Sequence, residues 1–208
     1  GPTLYASSSK APLARTGGRM PVSSSALAEL KDVTITGGPR ITVASAAHQL
    51  TLLNGIAPGS ASNQRIGRRV VLKSLLIRWN IAMGPATAGT GGLRILIVYD
   101  SQSNATAPAV TDILDTDNFV AGQNLANNRR FKVLADIVSE QGIGTQGPGS
   151  WCGTRYVRMD LPTEFNSGVA GTIADIQTGS LWMLTSQSGN LITTAPLSTV
   201  FTRVRYHD

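Results

Sequence analysis

Several sets of residues in this chain have the types and spacing to do chemistry. The largest is cationic. Arg65, Arg68, Arg69 and Lys73 cluster before and within one apolar run, and Arg129, Arg130 and Lys132 open another. Arg155 and Arg158 lie on a third run, and Arg203 and Arg205 alternate with Val204 and Tyr206 near the end. Guanidinium and ammonium groups gathered in this way neutralise phosphates, and a two-residue period puts Arg203 and Arg205 on one side of a strand. The candidates for nucleic-acid binding are Arg15, Arg19, Arg65, Arg68, Arg69, Lys73, Arg130, Lys132, Arg203 and Arg205. Arginine also serves subunit contacts and half-exposed sheet faces, so each of these residues has a structural alternative.

The other sets are weaker. Asp112, Asp115 and Asp117 could offer oxygen ligands to calcium, although their spacing is not that of an EF-hand and such turns usually cap helices. Gly142-Ile143-Gly144-Thr145-Gln146-Gly147 matches a dinucleotide fingerprint in letters only. That motif needs a helix start directly after the glycines, and Pro148-Gly149-Ser150 follows instead. Cys152 could act as a nucleophile only if His48 or His207 converged on it; a lone Cys beside Trp151 is more often packing. Two histidines are too few for cupin-type metal chemistry, and one cysteine excludes an internal disulfide. No active site emerges, and no cofactor beyond the weak calcium option.

The elements that must position these residues read as strands. The chain has 208 residues, enough for one domain with a two-sheet core, and only 14% are charged, too few for a disordered chain. Glycine is abundant, and Ser, Thr and Ala crowd the segments between short apolar runs, a composition that favours strands and long loops. The class is all-β. A net charge of +6 and a pI near 10 make a polyanionic partner plausible. No apolar run reaches the length of a membrane helix, and the first thirty residues lack the apolar centre of a secretory signal. The chain opens on Gly1-Pro2, as after processing or within a longer protein.

Residues 1–30 read as an extended N-terminal arm and 31–208 as the folded domain. Val33–Ile35 and Ile41–Val43 are short β pieces. From Leu50 onward eight strands are expected, at 50–53, 70–83, 93–99, 131–138, 155–161, 172–176, 181–185 and 200–206. In the long second strand Leu75, Ile77, Trp79, Ile81 and Met83 share the core face, while Ser74, Arg78 and Asn80 share the wet one. Leu93–Tyr99 is nearly all apolar and belongs in the centre of a sheet. The insertion from Asp100 to Arg130 is too long for an idle loop and should carry a helical turn near Val110–Leu114. Eight strands with long connections fit an antiparallel jelly-roll β-sandwich, a fold used by capsids, lectins and cupins. A lectin-like carbohydrate-binding module is thus the alternative function, although aromatics at 5% argue mildly against it.

Several segments, in order, resemble a known family. Leu53-Asn54-Gly55-Ile56-Ala57, then Gln64 through Val70 and Lys73-Ser74-Leu75, resemble the start of capsid proteins from small circular Rep-encoding single-stranded DNA viruses. Arg94 through Asp100, Asp112-Ile113-Leu114, Asn128 through Asp136, and Ile176 through Trp182 are similar to its later strands and loops. The chain is also distantly similar to coat proteins of plant satellite RNA viruses. The resemblance implies a jelly roll, a homo-oligomeric icosahedral shell, packaging of a single-stranded genome (circular DNA), residence in the virion, and a nuclear stage during assembly. Phe119, Trp151 and Phe165 would then be candidates for subunit contacts. One departure is plain: such capsids usually begin with a strongly basic arm, and residues 1–30 hold only Lys10, Arg15 and Arg19.

Overall fold

A computed structural model describes residues 30–35, 47–82, 90–142, 150–188 and 197–208. Arg15 and Arg19 with nearly all of the arm, the Ile41–Val43 piece, and all but the first residue of the glycine fingerprint lie outside the described residues. The strands are β1 (Lys31–Ile35), β2 (Gln49–Leu52), β3 (Arg69–Ala82), β4 (Thr90–Asp100), β5 (Phe131–Gly142), β6 (Ser150–Phe165), β7 (Ile176–Thr178), β8 (Ser180–Gln187) and β9 (Leu197–His207). They form two antiparallel sheets, ordered β1-β9-β3-β6-β7 and β2-β8-β4-β5.

That order is a jelly roll. The chain folds back on itself in four antiparallel pairs, β1 with β9, β2 with β8, β3 with β6 and β4 with β5. The membership of the roll differs from the expectation at two places. β1, read from sequence only as a β piece outside the eight, is a full partner of β9. The strand expected at 172–176 is instead a single 3-10 turn at Ile173–Asp175, and β7 after it is a short extra strand on the edge. Asp175 decides the turn: its carboxylate accepts from the Gly171 N–H at 2.5 Å, which holds the backbone out of the ladder.

In β3 the alternation changes phase at a bulge between Leu72 and Ser74. Val70 and Leu72 point inward before it, and Leu75, Ile77 and Trp79 after it, all buried. Lys73 is the extra residue, so the bulge places it and Ser74 together. Trp79 packs on Trp151 with ring centroids 5.2 Å apart and on the backbone of Gly153 in β6. Any side chain at 153 would start 2.3 Å from the Trp79 ring, so only glycine admits the indole there. Gly179, between β7 and β8, has φ +81, and a Cβ would sit 2.1 Å from the Pro162 carbonyl oxygen.

There are two cores, one on each side of the four-stranded sheet. Between the sheets lie Leu75, Ile77, Leu93, Ile95, Ile97, Leu181, Met183, Val204 and Tyr206. On the outer side of the four-stranded sheet, Leu96, Val98, Trp182 and Leu184 pack under Ile113, Leu114 and Ala121 of the insertion. β8 is therefore buried on both faces along its whole length, and β4 lies centrally between β8 and β5. The insertion carries the expected helical turn, α1 (Val110–Ile113). Arg94 pins the insertion down. Its guanidinium donates to both carboxylate oxygens of Asp136 and to the carbonyls of Phe119 and Ala121, each at 2.8 Å.

Candidate nucleic-acid interface

The outer face of the five-stranded sheet has no such cover among the described residues. Its three central strands, β9, β3 and β6, alternate inward apolar residues with outward polar ones, and the antiparallel register aligns the outward residues in rows. One row runs Arg205–Ser74–Arg158 and the next Arg203–Leu76–Tyr156. A third runs Phe201–Arg78–Thr154. Neighbouring strands are about 4.8 Å apart, so the row of Ser74 holds two guanidinium groups across roughly two strand spacings, with a small hydroxyl between them.

The cations on this face divide into two groups. Arg69 faces Glu164 at 3.9 Å, Lys73 pairs with Asp160, and the Arg203 Nε donates to Thr34 Oγ1 at 3.1 Å and lies 3.4 Å from Asp32. Arg78, Arg158 and Arg205, by contrast, make no ion pair among the described residues, and all three are exposed. Aromatic rings are interleaved with them. Tyr156 is 53% exposed, and Arg203 lies over the Phe201 ring at 5.3 Å. Ser74, Leu76, Tyr156, Arg203 and Arg205 line a depression of about 120 Å³. Leu30, the residue before β1, lines an adjoining one of about 400 Å³ with Lys73, Arg158 and Arg205.

The expected basic residues do not all gather here. Arg203 and Arg205 share the outward side of β9, opposite the buried Val204 and Tyr206. Arg68 and Arg69 are exposed at the entry to β3, and Lys73 stands at its bulge. Lys132 is exposed on β5, in the other sheet. Two residues must be reassigned. Arg65 is 3% exposed: it donates to the carbonyls of Ile56, Gly67 and Gly168 and stacks on Phe165 at 4.2 Å. Burial lowers its pKa, Asp175 acting against that and Arg68 with it. Arg130 forms a two-bond pair with the buried Asp100 at 2.8 and 2.9 Å and covers Phe131. The hydrogen bond to Asp100 raises its pKa. Arg65 is enclosed and has no free fork for a phosphate, while Arg130 commits one side of its guanidinium to Asp100 and stays partly open to solvent.

Reading from sequence passed over Tyr156 and Arg78, and named Arg158 in the cationic set without choosing it as a candidate. The signal was there in the two-residue alternation of Thr154, Tyr156, Arg158 and Asp160, but only the register sets that alternation beside Arg205. The aspartates of the insertion do not converge. Asp112 accepts from the Ala109 N–H as a helix cap, and Asp117 accepts from the His48 backbone and lies 2.9 Å from its ring. Among the described residues no group of three His, Cys, Asp or Glu side chains could hold a metal ion. Cys152 is exposed opposite Asn80 at one end of β3, whereas His207 lies opposite Val71 at the other end, and His48 is buried just before β2 of the other sheet. Nine residues of strand separate the first two by about 30 Å, too far for a nucleophile and its base.

The aromatic residues expected at subunit contacts are packed within the chain. Phe165 lies under Arg65, Trp151 against Trp79, and Phe119 against Gly92. Among the described residues, Ile66, Val120, Leu125 and Val169 are the large apolar side chains exposed by 65% or more.

A jelly roll with one sheet face bare and basic, and no catalytic grouping among the described residues, belongs with virus coat proteins more than with lectins or cupins. Comparison with known proteins gives the particular family: the chain belongs to the satellite tobacco necrosis virus coat protein family, whose model matches residues 24–195. It is 29% identical over 102 residues to the coat protein of Maize white line mosaic Satellite virus, covering 48% of this chain and 47% of that protein. It is 32% identical over 100 residues to the capsid protein of Satellite tobacco necrosis virus 1, covering 46% and 48%. The chain thus spans about half the length of the curated relatives it matches. These relatives are structural coat proteins and not enzymes. Of the two resemblances drawn from sequence, the one to satellite plant viruses is carried by these matches. The circular DNA genome and the nuclear stage came with the other resemblance, and the matches give them no support.

Proposed function

We propose that this chain is a coat-protein subunit that self-assembles into a closed icosahedral shell and packages a single-stranded genome against the bare face of its five-stranded sheet. The observation that carries the reading is the set of three arginines without carboxylate partners among the described residues, Arg78, Arg158 and Arg205, on one face of a coat-protein jelly roll. Leu30 lines the same surface, so the arm with Lys10, Arg15 and Arg19 leaves the folded domain beside it. Phosphate contacts of this kind read no sequence, as packaging of a whole genome requires. Family membership favours RNA over DNA as the genome. The exposed Ile66, Val120, Leu125 and Val169 are the apolar centres available for contacts between subunits repeated around closed symmetry.

Analytical ultracentrifugation and electron microscopy of the purified full chain, over a range of salt and protein concentrations, test this. A megadalton species of uniform shells is expected, holding nucleic acid that resists nuclease until the shell is opened; selective digestion then identifies RNA or DNA. A chain that stays monomeric under every condition overturns the reading.

A further inference from the structure

We infer that the depression around Tyr156 is a stacking site for one unpaired base, flanked by Arg205 and Arg158 as phosphate holders, so that this sheet face selects single-stranded over duplex nucleic acid. The inference rests on the proposed genome-binding role and adds a residue and a discrimination to it. Three features point the same way. Tyr156 is the only aromatic side chain more than half exposed among the described residues, and it stands on the outward side midway along β6, where a ring facing solvent gains nothing for the core. Its cross-strand neighbours are Leu76 and then Arg203, and the next row holds the small Ser74, which leaves the ring open on the side of the depression. Arg205 and Arg158 bracket Ser74 in that next row, Arg158 one strand repeat from the ring and Arg205 two strands across.

Such a surface combines a π-face with unpaired cations. Stacking on an aromatic side chain accepts any base, because every base has a flat face, while arginines track the backbone. A duplex keeps its base faces inside the stack and can offer this surface only its phosphates. The charged residues therefore attract both forms, and Tyr156 distinguishes them. Lys73 and Arg203 are partly neutralised by Asp160 and Asp32, which leaves the unpaired arginines nearest the ring to do most of the holding.

Binding of fluorescent oligouridylate, oligothymidylate and a duplex of equal length to the full chain, held unassembled, tests the inference at several salt concentrations. Tyr156→Ala should weaken binding of both single strands about tenfold, change duplex binding little, and leave the salt slope unaltered. Tyr156→Phe should bind like the parent, since it keeps the ring. Tyr156→Thr, a good strand former without a π-face, should behave like the alanine variant and guards against a folding defect, which thermal melting checks directly. Folded alanine and threonine variants that bind single strands like the parent overturn the stacking site while leaving the packaging role standing. Equal loss for duplex and single strand also overturns it. A parent chain that binds no nucleic acid at any salt concentration removes the packaging role itself, and the stacking site with it.

Discussion

The two sheets of this sandwich have the same handling of their inner faces and opposite handling of their outer ones. On the four-stranded sheet the outer face is a second core, roofed by the insertion between β4 and β5, and its arginine is enclosed. Arg94 is 7% exposed and has a carboxylate and two carbonyls for partners. On the five-stranded sheet the outer face has no roof among the described residues, and three of its arginines have no carboxylate. The difference teaches that the residue type does not decide the role of an arginine here. Cover does: under a loop the guanidinium must be fully paired, because an unpaired buried charge is costly. In the open it is free to meet a phosphate.

The largest effect should come from the core that both sheets share. Trp79→Ala empties the space between Trp151 and Gly153 and should cost about 3–5 kcal/mol, abolishing soluble expression or assembly. Denaturant melts of the variant check it, and an unchanged midpoint would contradict the packing of the indole. The covered face comes next. Arg94→Ala strands Asp136 and the carbonyls of Phe119 and Ala121, at a cost of roughly 2–4 kcal/mol; Asp136 is partly open to solvent and sets the lower end. Proteolysis of the insertion should speed up in the same variant, because its pin is gone.

Tyr99 tests the join between the sheets. Its hydroxyl donates to the Pro162 carbonyl at 2.6 Å, and its phenol is pushed up to about 12 by burial, with Asp100 and Glu164 adding to the shift. A folded-state value above the ordinary 10.0 means that this stabilisation is whole below pH 10 and is lost as pH rises towards about 12. Its size is on the order of 2 kcal/mol. Melting temperatures taken across that window should fall less steeply for Tyr99→Phe than for the parent.

The bare face should give the smallest change in stability and a clear change in binding. Replacing both Arg203 and Arg205 by Gln should alter stability by no more than about 1 kcal/mol. It should flatten the log–log salt dependence of single-strand binding by between about 0.7 and 1.4, at about 0.7 per full phosphate contact. Arg203 is shared with Asp32 and Thr34, so most of the change should follow Arg205. Filter binding on unassembled subunits measures this. An unaltered slope with shells that no longer close would assign the pair to subunit contacts instead.

Much of this molecule was legible before any coordinates. The alternation through Leu75, Ile77 and Trp79, the exposed side of Arg78 and Asn80, and the central position of Leu93–Tyr99 follow from period-two geometry, which needs only a strand and one buried side; Ser74, expected wet with them, is 5% exposed. The turn at Val110–Ile113 followed from its capping residues. Sequence by itself determined the fold class, the strands of the core and the common side of Arg203 and Arg205, because those are local properties of a pleated chain. Tertiary structure alone decided which cations are available. Arg65 and Arg130 look like Arg158 and Arg205 in sequence, yet the first two meet distant carbonyls, Asp100 and aromatic rings, and the last two meet solvent. It also decided that 173–175 is a turn, since the Asp175 carboxylate finds its partner four residues back only when the loop closes. Partners brought together from far along the chain set burial and charge pairing, and no local period encodes them.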